Sequence, residues 1–141
     1  MEACVFCRIV QGVSPATIVY SDEKAMAFMD IHPINPGHVL VIPKIHARYL
    51  SELEPEIGGY TFKVAMRVSQ AVRNSGVKCD GVNIYLADGE AAAQEIPHVH
   101  LHVIPRYFGD GLRLRFRPAY GSLPDEKEPE KIAERIRIAM S

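Results

Sequence analysis

The sequence predicts an α+β fold: a five-stranded antiparallel sheet with one long helix and one C-terminal helix. Three observations carry that expectation. Short β-rich runs follow one another closely, separated by turn residues. A single long stretch between them switches to helical periodicity. The last run, His98-Val99-His100-Leu101-His102, sets an imidazole at every second position, so an extended chain turns all three to one face.

Residues 17–20 and 24–30 read as strands around a Ser21-Asp22-Glu23 turn. Asn35-Pro36-Gly37 is a second turn, opening a strand over 38–42 that Pro43 stops. From 55 to 75, Ile57, Tyr60, Val64, Val68, Ala71 and Val72 recur at steps of three and four, with Lys63, Arg67, Gln70 and Asn74 opposite. That is an amphipathic helix laid on a sheet, and Gly76 stands where it ends. Strands over 81–86 and 98–104 follow, joined by a loop over 87–97. Asp125-x-x-Glu128 resembles a helix start, and Ile132 and Ile136 give the last helix an apolar stripe. No repeat, low-complexity segment or composition shift marks a boundary, so one domain over 1–141 is expected.

Composition narrows the setting. A chain of 141 residues suits one domain, which buries roughly two-thirds of its unfolded surface. Sixteen basic against seventeen acidic side chains create no field for a membrane surface or for specific nucleic-acid binding. The first residues lack the basic and apolar regions of a signal peptide. No run approaches the ~20 apolar residues of a membrane span. Three cysteines, two of them as Cys4-x-x-Cys7, make no disulfide framework. A soluble, cytoplasmic protein is expected.

The histidine row is the chemical feature. Same-face neighbours on a strand lie roughly 6.5–7 Å apart, putting His98 and His102 about 13 Å apart. Zinc–nitrogen bonds are only about 2.0–2.1 Å, so one ion cannot readily take all three rings. Neutral imidazole is a nucleophile and proton carrier near neutral pH. A central ring flanked by hydrogen-bond donors suits attack at phosphorus. Adjacent histidines could alternatively hold a catalytic metal. Cys4-x-x-Cys7 has metal-type spacing; a redox pair would need a preceding strand, which residues 1–7 do not offer. Cys79 reads as a loop or packing residue, and His38 serves equally as a structural or a functional residue. Arg113, Arg115 and Arg117 alternate with apolar residues, so on an extended segment they share one face, as an anion holder or a solvated edge.

His98-Val99-His100-Leu101-His102-Val103-Ile104 resembles the histidine-triad (HIT) motif, His-φ-His-φ-His-φ-φ, without a mismatch. The resemblance extends to Cys4-x-x-Cys7, to Ala27-Phe28-Met29-Asp30-Ile31, to 36–44 followed by His46, and to Asn83 and Gln94. It implies a HIT-like homodimer. It also implies hydrolysis or transfer at the α-phosphate of nucleoside phosphoramidates or dinucleoside polyphosphates, with a purine nucleotide as substrate. His100 would be the nucleophile, the His98 carbonyl would hold its tautomer, and His102 would contact the phosphate. Asp30 would bind the ribose hydroxyls, Phe28, Ile31 and His32 would wall the base, and Asn83 would support the ribose–phosphate end. Bacterial-type members with this Cys-x-x-Cys bind a structural zinc, which here implies Cys4, Cys7, His46 and His98. No catalytic cofactor is implied.

The loop before the triad departs from the family. Ala93 stands where members commonly have Gly, Ala87 where polyphosphate-cleaving members carry an amide, and Glu95 where a hydroxyl meets the phosphate or leaving group. Gln94 and Glu95 belong to the expected nucleotide site. A carboxylate there repels a phosphate dianion unless protonated or turned away. A non-catalytic nucleotide-binding module therefore stands as an alternative, beside a metal-dependent hydrolase using triad histidines as ligands.

Overall fold

The computed structural model describes residues 4–118, 120–123 and 125–141. The chain forms two compact units, one ending at Asp110 and the other spanning Gly111–Ser141. The first holds helix α1 (Val5–Val10), strands β1 (Ile18–Ser21), β2 (Ala25–Met29) and β3 (Val39–Pro43), helix α2 (Pro55–Asn74), and strands β4 (Gly81–Tyr85) and β5 (Leu101–Arg106). The strands form one five-stranded sheet in the order β1-β2-β3-β5-β4, every pairing antiparallel.

Strand alternation divides the core in two. Ala25, Ala27, Val39, Val41, Leu101 and Val103 pack with Val64, Ala65, Val68 and Val72 of α2. Their neighbours Met26, Phe28, Leu40 and Ile42 pack with Cys4, Phe6, Cys7 and Ile9 around α1. Directly paired residues of an antiparallel ladder share a face. His102 pairs with Leu40, and Leu40 with Phe28, so His102 lies on the α1 face. Burying a Val side chain contributes about 1.5–3 kcal/mol, so the buried Val64, Val68 and Val72, more than helix propensity, hold α2 against the sheet. Ala71, expected in that stripe, is exposed, and Thr61 and Ala65 are buried instead. Thr61 satisfies its hydroxyl by donating to the Ile57 carbonyl at 2.8 Å.

The β1–β2 turn is pinned to α2 through Asp22. Its carboxylate accepts from Tyr20 Oη at 2.6 Å, from Tyr60 Oη of α2, and from the backbone of Lys24 and Ala25 at 2.8 Å each. The Tyr20 and Tyr60 hydroxyls hold it well below the usual carboxylate range. At the far end of the sheet, Asp110 accepts from Arg106 Nε at 2.6 Å and from buried Asn35 at 3.0 Å.

One strand begins later than its pattern predicts. The strand expected over 98–104 is Leu101–Arg106. The ladder with β3 stops at Val41 opposite Leu101, two residues before Pro43, which has no N–H to contribute. Val99 instead donates its N–H to Ala47 at 2.8 Å, drawing 98–100 towards the segment after β3. The two N-terminal cysteines belong to α1. Cys4 caps α1, its sulfur accepting from the Cys7 N–H at 3.4 Å.

The second unit carries α3 (Glu128–Met140), where Arg137 pairs with Glu130 and Glu134. Arg113, Arg115 and Arg117 are exposed on a segment with no strand pairing. Among the described residues no helix is long and apolar enough to cross a membrane.

Candidate active site and metal cluster

Helix α1 and the segments after β3 and before β5 converge on four donor atoms. His98 Nδ1 lies 3.5 Å from Cys4 Sγ, 3.6 Å from Cys7 Sγ and 3.3 Å from His46 Nδ1; Cys7 Sγ lies 3.3 Å from His46 Nδ1. A tetrahedral zinc ion with its usual bond lengths spaces two nitrogens by about 3.3 Å and sulfur from nitrogen by about 3.5–3.6 Å. Most of these separations fall on that figure, and the Cys7–His46 edge is slightly short. His98 gives its other ring proton, on Nε2, to the Pro43 carbonyl at 2.8 Å, which leaves the Nδ1 lone pair aimed at the cluster. That hydrogen bond is the outer support a ligating histidine needs. Burial, then the neighbouring Cys4 sulfur, push the Cys7 thiol up to about 11. Its thiolate therefore forms together with metal capture, releasing a proton.

The same bookkeeping of ring protons fixes the triad. The His100 ring lies 2.7 Å, through Nδ1, from the His98 carbonyl; a carbonyl only accepts, so Nδ1 carries the proton and Nε2 keeps its lone pair. The ring is 5% exposed and stands edge-on to Phe6 at 5.2 Å. Next, the Ile34 N–H donates to His38 Nδ1 at 3.0 Å, so the His38 proton sits on Nε2. That nitrogen lies 2.9 Å from His102 Nδ1 and 3.4 Å from Asp30 Oδ2. His102 Nδ1 accepts, and His102 therefore presents an N–H at Nε2. Asp30, His38 and His102 are close enough to suggest a second metal cluster. The Ile34 N–H argues against it, since a ligating imidazole keeps a proton on its other nitrogen. Instead, the single His38 proton is bonded to His102 and faces the Asp30 carboxylate.

Burial lowers the pKa of all three triad rings. For His102 burial comes first, then His100 and His38, bringing it to about 4. His38 is also lowered by burial, against the pull of Asp30. At neutral pH the triad is uncharged, which gives one ring a lone pair and the other a donor.

The remaining expected residues surround this centre unevenly. Phe28 is buried against Phe6, with ring centroids 5.3 Å apart, while Ile31 and His32 are exposed on the loop after β2. Asp30 Oδ1 accepts the His32 N–H at 2.8 Å. Asn83 accepts from Arg106 Nη1 at 2.6 Å. Gln94 braces the loop, accepting from Gly89 at 2.8 Å and donating to the Arg48 and Ile96 carbonyls at 2.8 and 3.0 Å. Ala93 takes the left-handed conformation, φ 68°, a strain of roughly 1–2 kcal/mol. Glu95 is exposed beside a cleft of about 320 Å³ with Arg48, Tyr49, Glu90, Gln94 and Pro97, and its charge raises the His100 pKa against burial. Tyr85, which periodicity marks only as a strand residue, lies against His102 with centroids 4.5 Å apart. The link from His38 to His102 was equally hidden, because 64 residues separate them in sequence.

Comparison with known proteins bears on this geometry. The HIT domain pattern matches residues 11–109. The chain belongs to the HIT family. A HIT-like protein of Methanocaldococcus jannaschii is 42% identical over 113 residues, covering 80% of this chain and 86% of that protein. The zinc-bound histidine triad family protein of Mycobacterium smegmatis superposes with a TM-score of 0.77 at 45% identity, over 83% of this chain and 84% of that one. The adenylylsulfatase HINT3 of Arabidopsis thaliana is 34% identical over 135 residues, covering 95% of this chain and 68% of the plant protein. The α+β sheet with its long and C-terminal helices is thus the HIT fold.

Proposed function

We propose that this HIT protein is a hydrolase or transferase acting at the α-phosphate of purine nucleoside phosphoramidates or dinucleoside polyphosphates. The observation that carries the reading is the pair of opposed ring nitrogens: a free lone pair on His100 Nε2 and an N–H on His102 Nε2. His100 attacks phosphorus, forming a P–N bond as the bond to the leaving group breaks; that group departs with the electron pair and takes up a proton. The positive charge on the His100 ring is stabilised at Nδ1–H by the His98 carbonyl, and His102 donates to a non-bridging oxygen. Water then cleaves the P–N bond, releasing a nucleoside monophosphate and restoring the ring. Asp30 takes the ribose hydroxyls, with Ile31 and His32 at the base and Asn83, Gln94 and Glu95 around the phosphate and leaving group. Phe28 supports this wall from within the core.

Cys4, Cys7, His46 and His98 hold a structural zinc in this reading, as their spacing and the zinc-bound relative support. The ion ties α1 to the residue whose carbonyl orients His100. A homodimer is part of the same proposal: β4 ends the sheet order, and its outer backbone edge can pair with a second copy.

The test is a panel of adenosine and guanosine 5′-phosphoramidates and dinucleoside polyphosphates, assayed for nucleoside monophosphate release and for a trapped nucleotidyl-protein. Tight AMP binding with no release from any compound would show a binding module instead. The pH profile gives a second expectation. Because the working rings are neutral and their pKa values are depressed in the folded protein, activity persists as pH falls through 6.5, the usual histidine value. It is lost only further down, where the buried His100 ring takes up a proton at Nε2. A kcat/KM profile half-lost at pH 6.5 or above contradicts this.

A further inference from the structure

His38 has one ring proton, on Nε2, and two acceptors within reach of it: His102 Nδ1 at 2.9 Å and Asp30 Oδ2 at 3.4 Å. The ring is 1% exposed, so water does not compete for that proton, and the Ile34 N–H prevents it from moving to Nδ1. The other Asp30 oxygen is engaged by the His32 N–H, which fixes the carboxylate plane and leaves Oδ2 towards His38.

We propose that Asp30 is a positioning residue for the phosphate-binding ring as well as a ribose anchor, acting on His102 through His38. This rests on the reading that Asp30 holds the ribose hydroxyls and His102 the phosphate. The carboxylate faces the His38 Nε2 proton and acts on it by charge. Its negative charge favours a proton at that nitrogen, so His102 Nδ1 stays an acceptor and His102 keeps its own proton on Nε2. That donor strengthens as charge gathers on the phosphoryl oxygens. In support, Asp30 raises the pKa of His38, His100 and His102 against burial, so its charge is felt across the cluster. Ribose binding and phosphate activation thus meet on one side chain.

A substrate without the hydroxyls separates the two jobs. Adenosine 5′-phosphoramidate and its 2′,3′-dideoxy counterpart are turned over by wild type, Asp30→Asn and His38→Asn, with kcat and KM determined separately. For wild type, removing the hydroxyls raises KM and leaves kcat largely unchanged. Asp30→Asn lowers kcat about tenfold or more, a barrier change of about 1.4 kcal/mol, and does so on the dideoxy substrate as well, where there is no hydroxyl to hold. His38→Asn shows the same kcat loss, and the double variant is little worse than either single one, as expected when Asp30 acts through His38. Equal kcat for wild type and Asp30→Asn on the dideoxy substrate overturns the proposal and leaves the hydrolase reading standing. Should His38→Asn fail to fold, the Asp30→Asn comparison decides alone, because Asp30 lies at the edge of the site with 17% of its side chain exposed. No turnover of either substrate by wild type overturns the hydrolase reading and this inference with it.

Discussion

Replacing His100 with Ala is expected to reduce turnover by about 10⁴-fold or more and to abolish the trapped nucleotidyl-protein, as loss of a covalent nucleophile does. No neighbouring ring can take over. The His98 Nδ1 lone pair faces the cysteine cluster, and His102 presents a proton rather than a lone pair at Nε2. The variant should still bind AMP, since Asp30 and the loop after β2 are untouched. Binding with no covalent species is therefore the informative result, measured by rapid-quench trapping beside equilibrium AMP binding. His100→Asn checks that the loss is chemical, because Ala leaves a void against Phe6 that destabilises by itself. Full turnover by either variant removes His100 from the mechanism.

The sequence revealed this site unevenly, for physical reasons. Strands, α2 and the side of each strand are written in local periodicity, and the alternation around His102 persists although its strand begins later than expected. The start of β5 depends on its partner: Pro43 ends the ladder from across the sheet, and no pattern within 98–104 reports that. Helix α1 is six residues long, too short for periodicity to declare, with β-branched Val5, Ile9 and Val10 and a cysteine at its cap. Its stability comes from burying Phe6, Cys7 and Ile9, which is tertiary information. The His98 tautomer was invisible because Pro43, which sets it, is 55 residues away, whereas the groups that fix His100 and His38 lie only two and four residues from their rings. Glu95 is a different case. Its identity departs from the family pattern, and its side chain lines a cleft with Arg48 and Glu90.

Cys7→Ser is expected to lose bound zinc and to lower Tm by about 10 °C or more, reflecting a loss on the order of 3 kcal/mol or more for a domain of this size. The cost is large because the four ligands come from α1, from the segment after β3 and from the segment before β5, so one ion closes three parts of the chain at once. Serine's neutral hydroxyl does not replace the thiolate as a zinc ligand. Chelation of the wild type should reproduce the shift. Zinc capture should release protons and weaken as pH falls, because burial and Cys4 keep the Cys7 thiol protonated until the ion arrives. The effect should also reach catalysis below the melting transition. His98 offers its ring to the metal cluster and its carbonyl to His100 Nδ1, so loosening the ring disturbs the hydrogen bond that leaves His100 Nε2 free. A drop in kcat at temperatures where circular dichroism shows the variant folded, with AMP affinity nearly unchanged, is the expected signature. A Cys7→Ser protein with wild-type Tm and kcat would separate the cysteine cluster from both stability and chemistry.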